Sequence, residues 1–273
     1  MSKVHSVWVV VMEMVLGWDY NDFGAWNDIG ECGANFQSGL NIPLHLQSEC
    51  GLNDDLQLKW GLDTTKDTFM VKNSKYSLTV VPVINSIENN VTTTTWLNTN
   101  ENSIGNLTNI HSFKYTTGQD KHYCLDSFHF HWGTRNSVGS EHTLNALASP
   151  LELHFVHYSC DYDNLTHALM SYINGDTNEN KYVLAVVGVL FDIGESNTGI
   201  EQIVSDQVIN QIKYYNSSAT TWVETNLDLT DLIPFQHNFI GYHGSLTTPP
   251  CYETVLWHVM THKMTVSEAQ LNK

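Results

Sequence analysis

The sequence predicts a single-domain, β-dominated α+β fold, and three observations carry that reading. Strand-like alternation or β-branched enrichment recurs at residues 76–83, 127–132, 151–158, 182–191 and 252–259, with connections rich in Asn, Gly, Thr and Ser between. Helical periodicity is scarce. The chain has 273 residues, 41% of them hydrophobic, with no internal repeat and no Pro/Gly linker that divides it. One domain is the better count.

In chain order, Met1-Ser-Lys-Val-His-Ser6 is basic and precedes the apolar run Val7-Trp-Val-Val-Val-Met-Glu-Met-Val-Leu16, with small residues at Val15 and Gly17. This resembles a secretory signal over residues 1–17, followed by a domain over 18–273. The alternative is a buried strand or helix, since the run is too short to span a bilayer. The strand at 76–83 leads to a polar stretch, 92–117, expected as an extended surface loop or a long hairpin. Strands at 127–132 and 151–158 follow. A short helix is expected at 164–174, a strand at 182–191, a second helix at 200–214 and a last strand at 252–259.

Charge excludes several functions. Twelve basic against 29 acidic residues leave a net charge of −17. Such a surface repels phosphate backbones and anionic lipid, so nucleic acid is excluded as a partner, and so is polybasic membrane docking. Arg135 is the single arginine, which rules out an arginine clamp for phosphate. No segment reads as transmembrane. Four Asn-x-Ser/Thr sequons, at Asn90, Asn106, Asn164 and Asn216, fit a secreted glycoprotein. Five cysteines (Cys32, Cys50, Cys124, Cys160, Cys251) allow two disulfides and one thiol, and the absence of Cys-x-x-Cys argues against a cysteine zinc site.

The 14 histidines are informative through their spacing. Ser127-Phe-His-Phe-His-Trp-Gly133 puts His129 and His131 on one face of a strand, ~7 Å apart, with Phe128 and Phe130 on the other. Leu151-Glu-Leu-His-Phe-Val-His-Tyr158 puts Glu152 and His154 on one face and His157 on the other. If the two strands are neighbours, three imidazoles converge and leave a fourth tetrahedral position for water, the open arrangement of a catalytic zinc site. The bland reading is core histidines satisfied by backbone carbonyls. Two His in strand register, with a third beside a same-face carboxylate, favour the metal. Imidazole sites also accept cobalt or iron, and geometry and availability favour Zn2+. Gly244-Ser-Leu-Thr-Thr-Pro-Pro250 offers hydroxyls fixed by prolines. A threonine there can accept a hydrogen bond from a metal-held hydroxide while donating its own proton to a carboxylate, which Glu141 in Gly139-Ser-Glu-His-Thr143 could supply.

Taken together, these segments resemble the α-class carbonic anhydrases. Phe128-His-Phe-His-Trp-Gly, Gly139-Ser-Glu-His-Thr, Glu152-Leu-His-Phe-Val-His and Gly244-Ser-Leu-Thr-Thr-Pro-Pro are that family's motifs in order, and softer matches extend the likeness over residues 18–273. The resemblance implies a large, twisted, mostly antiparallel central sheet with short peripheral helices. It implies His129, His131 and His154 as zinc ligands, Thr247 as the orienting hydroxyl and Glu141 as its acceptor. Glu152 would fix the tautomer of His154. Thr248 would line the polar wall, while Val156, Val186, Leu246 and Trp257 would form the apolar wall that holds carbon dioxide. The implied reaction is reversible hydration of carbon dioxide to bicarbonate and a proton by zinc-bound hydroxide, with sulfonamide-type compounds as inhibitors. Cys32 and Cys251 match a disulfide of secreted members, and partners for Cys50, Cys124 and Cys160 stay open.

The likeness has departures. Lys75 stands where the family often carries a proton-shuttling His, with Tyr76 beside it. Lysine and tyrosine ordinarily titrate near ~10, so proton transfer is expected to limit turnover and small imidazole buffers to accelerate it. His45 and His122 are alternative shuttles. Ser127 replaces a Gln that supports the first ligand, which is expected to weaken zinc binding. Gly39 and Asn41 replace Pro and Asp, changes expected to be structural. The family continues past the segment matching 264–271 with a strand carrying Asn-x-Arg-Pro. The chain is therefore expected to be a fragment, a truncated gene model or a variant without that strand, which would remove a backbone partner of His131. The competing function is an extracellular matrix or binding glycoprotein that keeps the fold without turnover.

Overall fold

A computed structural model describes residues 30–35, 37–44, 67–88, 91–95, 112–117, 119–176, 181–212, 221–236 and 238–273. The leader at 1–17, Cys50, His45 and the sequons at Asn90, Asn106 and Asn216 lie outside the described residues. The side chain of His122 does too.

The strands are β1 (Asn41–Ile42), β2 (Asp67–Asn73), β3 (Leu78–Pro82), β4 (Ile84–Glu88), β5 (Val91–Thr95), β6 (Ser112–Thr117), β7 (Gln119–Trp132), β8 (Thr143–Leu144), β9 (Leu147–Ala148) and β10 (Leu151–Ser159). They continue as β11 (Leu184–Ile193), β12 (Val223–Leu227), β13 (Phe239–Gly244), β14 (Val255–Met260) and β15 (Met264–Val266). Among the described residues four short helices accompany them: α1 (Leu165–Asn174), α2 (Thr198–Ile203), α3 (Asp206–Ile212) and α4 (Glu268–Leu271), besides a 3-10 turn at Leu229–Leu232.

Ten strands form one sheet in the order β12-β2-β3-β7-β10-β11-β14-β13, with β6 beside β7 and β15 beside β11. All pairs are antiparallel except β11 with β14 and β11 with β15. The β-dominated, single-domain expectation holds.

Two cores lie on opposite faces. Phe69, Phe128, Phe155 and Val187 cover one, capped by Ile200 and Ile203 of α2, Val208 and Ile212 of α3, and Leu232. Phe128 meets Phe69 at 5.9 Å and Phe155 at 5.2 Å between ring centroids, edge-to-face or tilted as ring quadrupoles prefer. Val156, Val186, Leu246 and Trp257 build the other, against Leu165, Ala168 and Leu169 of α1. Alternation along β7 and β10 therefore divides phenylalanines from imidazoles.

Two elements differ from expectation. The helix expected at 200–214 is split into α2 and α3, because the Val204 amide closes the first on Ile200 while the Ser205 carbonyl starts the second. Within 92–117, strands stand at both ends, β5 pairing with β4 and β6 with β7, and residues 96–111 lie outside the description. The expected helix at 164–174 is present as α1, its N-cap Asn164 accepting from the His167 amide.

At the β7–β10 boundary the register jumps between Val156 and His157, leaving Asp126 opposite no residue. Burial pushes its carboxyl up to about 6 despite the opposing pull of a hydrogen bond from the Ser127 side chain and of the Lys72 ammonium. An acid whose folded value is raised binds its proton more tightly when folded. Its contribution is thus present in full below about 4 and is lost as pH rises through about 6. Asp126→Asn is expected to match the wild type near pH 4 and to exceed it in stability at pH 7–8. Chemical denaturation across that range measures the difference.

Candidate metal centre

The register decides the site. His129 of β7 lies directly opposite His154 of β10, and His131 lies opposite Glu152. Ring centroids stand 4.9 Å apart for His129–His131, 5.3 Å for His129–His154 and 4.5 Å for His131–His154. One nitrogen from each lies within 4.8 Å of the others, a spacing that could hold a single ion. Burial drives all three imidazoles below the ordinary histidine value. They are therefore neutral near pH 7, the form a metal requires.

Glu152 organises the floor. It is fully buried and accepts four hydrogen bonds. Oε2 receives the amides of Glu141 and His142 at 2.8 Å each. Oε1 faces His142 Nδ1 at 2.6 Å and His154 Nε2 at 2.7 Å. Burial alone would raise this carboxyl, but the two imidazoles and their hydrogen bonds prevail and hold it well below the usual carboxylate range. An ionised Glu152 requires protons on His154 Nε2 and His142 Nδ1. That leaves His154 Nδ1 as a bare lone pair, and leaves His142 Nε2 to accept from the Tyr242 hydroxyl at 2.6 Å. Gly188 lies opposite His154 on β11, and a Cβ there would come within 3.2 Å of Glu152 Oε1.

His131 Nδ1 faces Glu141 Oε1 at 3.3 Å. Its Nε2 is buried with no hydrogen-bond partner among the described residues, as a nitrogen meant for a metal would be. The residues present thus fit a zinc ion. Burial, then the charge of Glu152, pushes Glu141 up to about 8, and a hydrogen bond from the Thr247 side chain opposes them.

A cavity of about 620 Å³ opens over the site, and His131, Glu141, Thr247, Leu246 and Tyr76 are among its lining residues. Val156, Val186 and Trp257 pack with Leu246 just beneath, all nearly inaccessible. Thr248 is buried behind the wall, its carbonyl accepting from the Cys251 amide.

The residues that depart from the family pattern take definite places. Lys75 does not line the cavity; Tyr76 does. Lys75 occupies a left-handed corner (φ 79°) between β2 and β3, which turns it outward, and its Nζ lies 2.6 Å from Tyr76 Oη. Ser127 Oγ is buried beside the Asp126 carboxyl and makes no hydrogen bond to His129 among the described residues, so it gives that imidazole no direct support. Gly39 adopts φ 63°, where a Cβ would sit 2.5 Å from the Glu141 carbonyl oxygen, so a proline, whose ring fixes φ at about −65°, could not stand there. Asn41 Oδ1 accepts from Thr143 Oγ1 and the Ala146 amide, tying down the loop after Glu141.

The disulfide Cys32–Cys251 is formed, and a second joins Cys124 to Cys160. Sequence reasoning missed His142 and Tyr242. The only signal for His142 was its place next to Glu141 in a motif already singled out, and nothing marked Tyr242.

The chain matches the family model of eukaryotic-type carbonic anhydrase over residues 21–273. It is also 35% identical over 158 residues to Carbonic anhydrase 6 of Mus musculus, an alignment covering 57% of this chain and 46% of that relative. The match thus spans about half the length of that curated relative.

Proposed function

The chain belongs to the eukaryotic-type carbonic anhydrase family, and on that premise we propose that it catalyses the reversible hydration of carbon dioxide to bicarbonate and a proton, with zinc held by His129, His131 and His154. The observation that carries this reading is the three-imidazole cluster with its unpartnered His131 Nε2, set beside the Thr247–Glu141 pair.

When bound, zinc supplies the Lewis acidity that makes water a nucleophile near neutral pH, the property for which carbonic anhydrases are the type case. The rest falls to the protein. Glu152 holds His154 in the tautomer that offers Nδ1. Glu141 accepts a hydrogen bond from the Thr247 hydroxyl when ionised, a form that a cation held by the imidazoles would favour. Thr247 is then an acceptor towards the cavity and aligns the attacking oxygen's lone pair. Of the four apolar residues expected to form the wall, Leu246 lines the cavity and offers an uncharged substrate a dry surface, while Val156, Val186 and Trp257 back it from the core.

The released proton must reach solvent. His131 is the only imidazole lining the cavity among the described residues, and it is already committed as a ligand. With His45 and the His122 side chain outside the described residues, slow proton transfer is the expectation this reading carries. Small imidazole buffers should raise turnover, and Tyr76→His should raise buffer-free turnover ~10-fold or more, the scale of a positioned acid–base group. Stopped-flow hydration at varied buffer concentration checks both.

Two disulfides support an oxidising, extracellular setting. Among the described residues no helix is long and apolar enough to cross a membrane. A glycan on Asn164 would occupy Nδ2 and leave the capping oxygen in use.

Zinc analysis together with stopped-flow carbon dioxide hydration tests the proposal. One zinc per chain and sulfonamide-sensitive turnover are expected. A metal-free protein without turnover would leave the matrix-glycoprotein reading.

A further inference from the structure

Strand β7 changes face part-way along. Leu125 and Phe128 share one core cluster although they are three residues apart. A regular strand alternates sides at every residue, so an odd separation should place them on opposite faces. The register explains the exception. Ser127 pairs with Val156 and Leu125 with His157, which makes Asp126 an extra residue, a β-bulge.

The bulge has a consequence for the metal centre. Before it, Cys124 lies with the cluster of Val156 and Trp257. After it, Ser127, His129 and His131 lie on that same side, since Ser127 pairs with Val156 and His129 with His154. Without the extra residue, Cys124 and the imidazoles would point to opposite faces. Yet the bulge is locally unfavourable, because Asp126 Oδ2 is buried without a hydrogen-bond partner among the described residues. A one-residue slip would relieve it and misdirect one end of the strand.

Cys124 pairs with Tyr158 in the ladder and is bonded to Cys160, just past the end of β10. That bond can form only with Cys124 on the cavity side. We infer that the Cys124–Cys160 disulfide is a positioning device for the metal centre, locking the bulged register that aims His129 and His131 at His154. The inference rests on the zinc-binding reading above. It joins the two strands that carry all three imidazoles, whereas Cys32–Cys251 lies on neither.

Zinc affinity by chelator competition and the visible absorption of the cobalt-substituted protein test it. The proteins compared are the wild type, Cys124→Ala/Cys160→Ala, and Leu232→Ala, which removes a core side chain remote from the site. The double variant should bind zinc at least ~10-fold more weakly, as when a ligand's support is lost, and show an altered cobalt band. Leu232→Ala should lose stability but keep the wild-type band. Unchanged zinc affinity and an unchanged band in the double variant would overturn the inference. A wild type that binds no zinc would overturn the underlying reading as well. Should the double variant not fold, stepwise reduction of the zinc-loaded wild type decides. Zinc released in step with alkylation of Cys124 and Cys160 supports the lock, and zinc retained with both alkylated refutes it.

Discussion

Replacing His131 with alanine is expected to abolish zinc retention and reduce carbon dioxide hydration to background, with the fold preserved. Losing an outer partner of a ligand costs ~10–100-fold in metal affinity, and losing a ligand costs more. His131 faces the cavity, while its neighbours Phe128 and Phe130 are packed in the opposite core. The alanine also leaves Glu141 without the imidazole 3.3 Å away, so the Thr247–Glu141 pair loses one support. Zinc analysis after gel filtration and stopped-flow turnover report the loss, and far-ultraviolet circular dichroism reports the intact sheet. Retained zinc and turnover would refute the ligand assignment.

The strand pair behind that expectation was legible because strand periodicity is strict. His129 and His131 are two apart, and so are Glu152 and His154, so each pair must share a face whatever the rest of the chain does. What one sequence could not show was register. That His154 faces His129 depends on pairing, and the bulge at Asp126 has no composition signal. The same bulge hid Cys124–Cys160, whose partners become neighbours only after the extra residue is placed. Tyr76 was passed over for Lys75 because an alignment fixes order but not backbone direction, and a left-handed lysine at the corner is not a pattern that residue type announces. The break between α2 and α3 escaped for a related reason. Apolar residues continue across Val204 and Ser205, so periodicity runs on where hydrogen bonding does not.

Glu152→Gln tests the floor of the site and is expected to be the most destabilising of the isosteric changes. A carboxylate accepts from all four donors around it, whereas a glutamine amide has one oxygen and an NH2 group that must face two of them. Each buried donor left unsatisfied costs about 1–3 kcal/mol, so a loss of roughly 2–6 kcal/mol follows if both imidazoles keep their tautomers, and a smaller one if either switches to accept from the amide. The effect on metal is separate. Without an anion at Nε2, His154 is free to carry its proton on Nδ1, the nitrogen needed for zinc, and affinity should fall ~10–100-fold. The pH dependence distinguishes this role from simple packing. A carboxyl held well below its ordinary value contributes stability above the unfolded value and loses it as pH falls through the folded one. The gap between wild type and Glu152→Gln should therefore be widest at neutral pH and narrow in acid, as denaturant titrations would show. A gap of constant size from neutral to acid would mean that Glu152 fills space without holding charge, and the tautomer argument for His154 would fall with it.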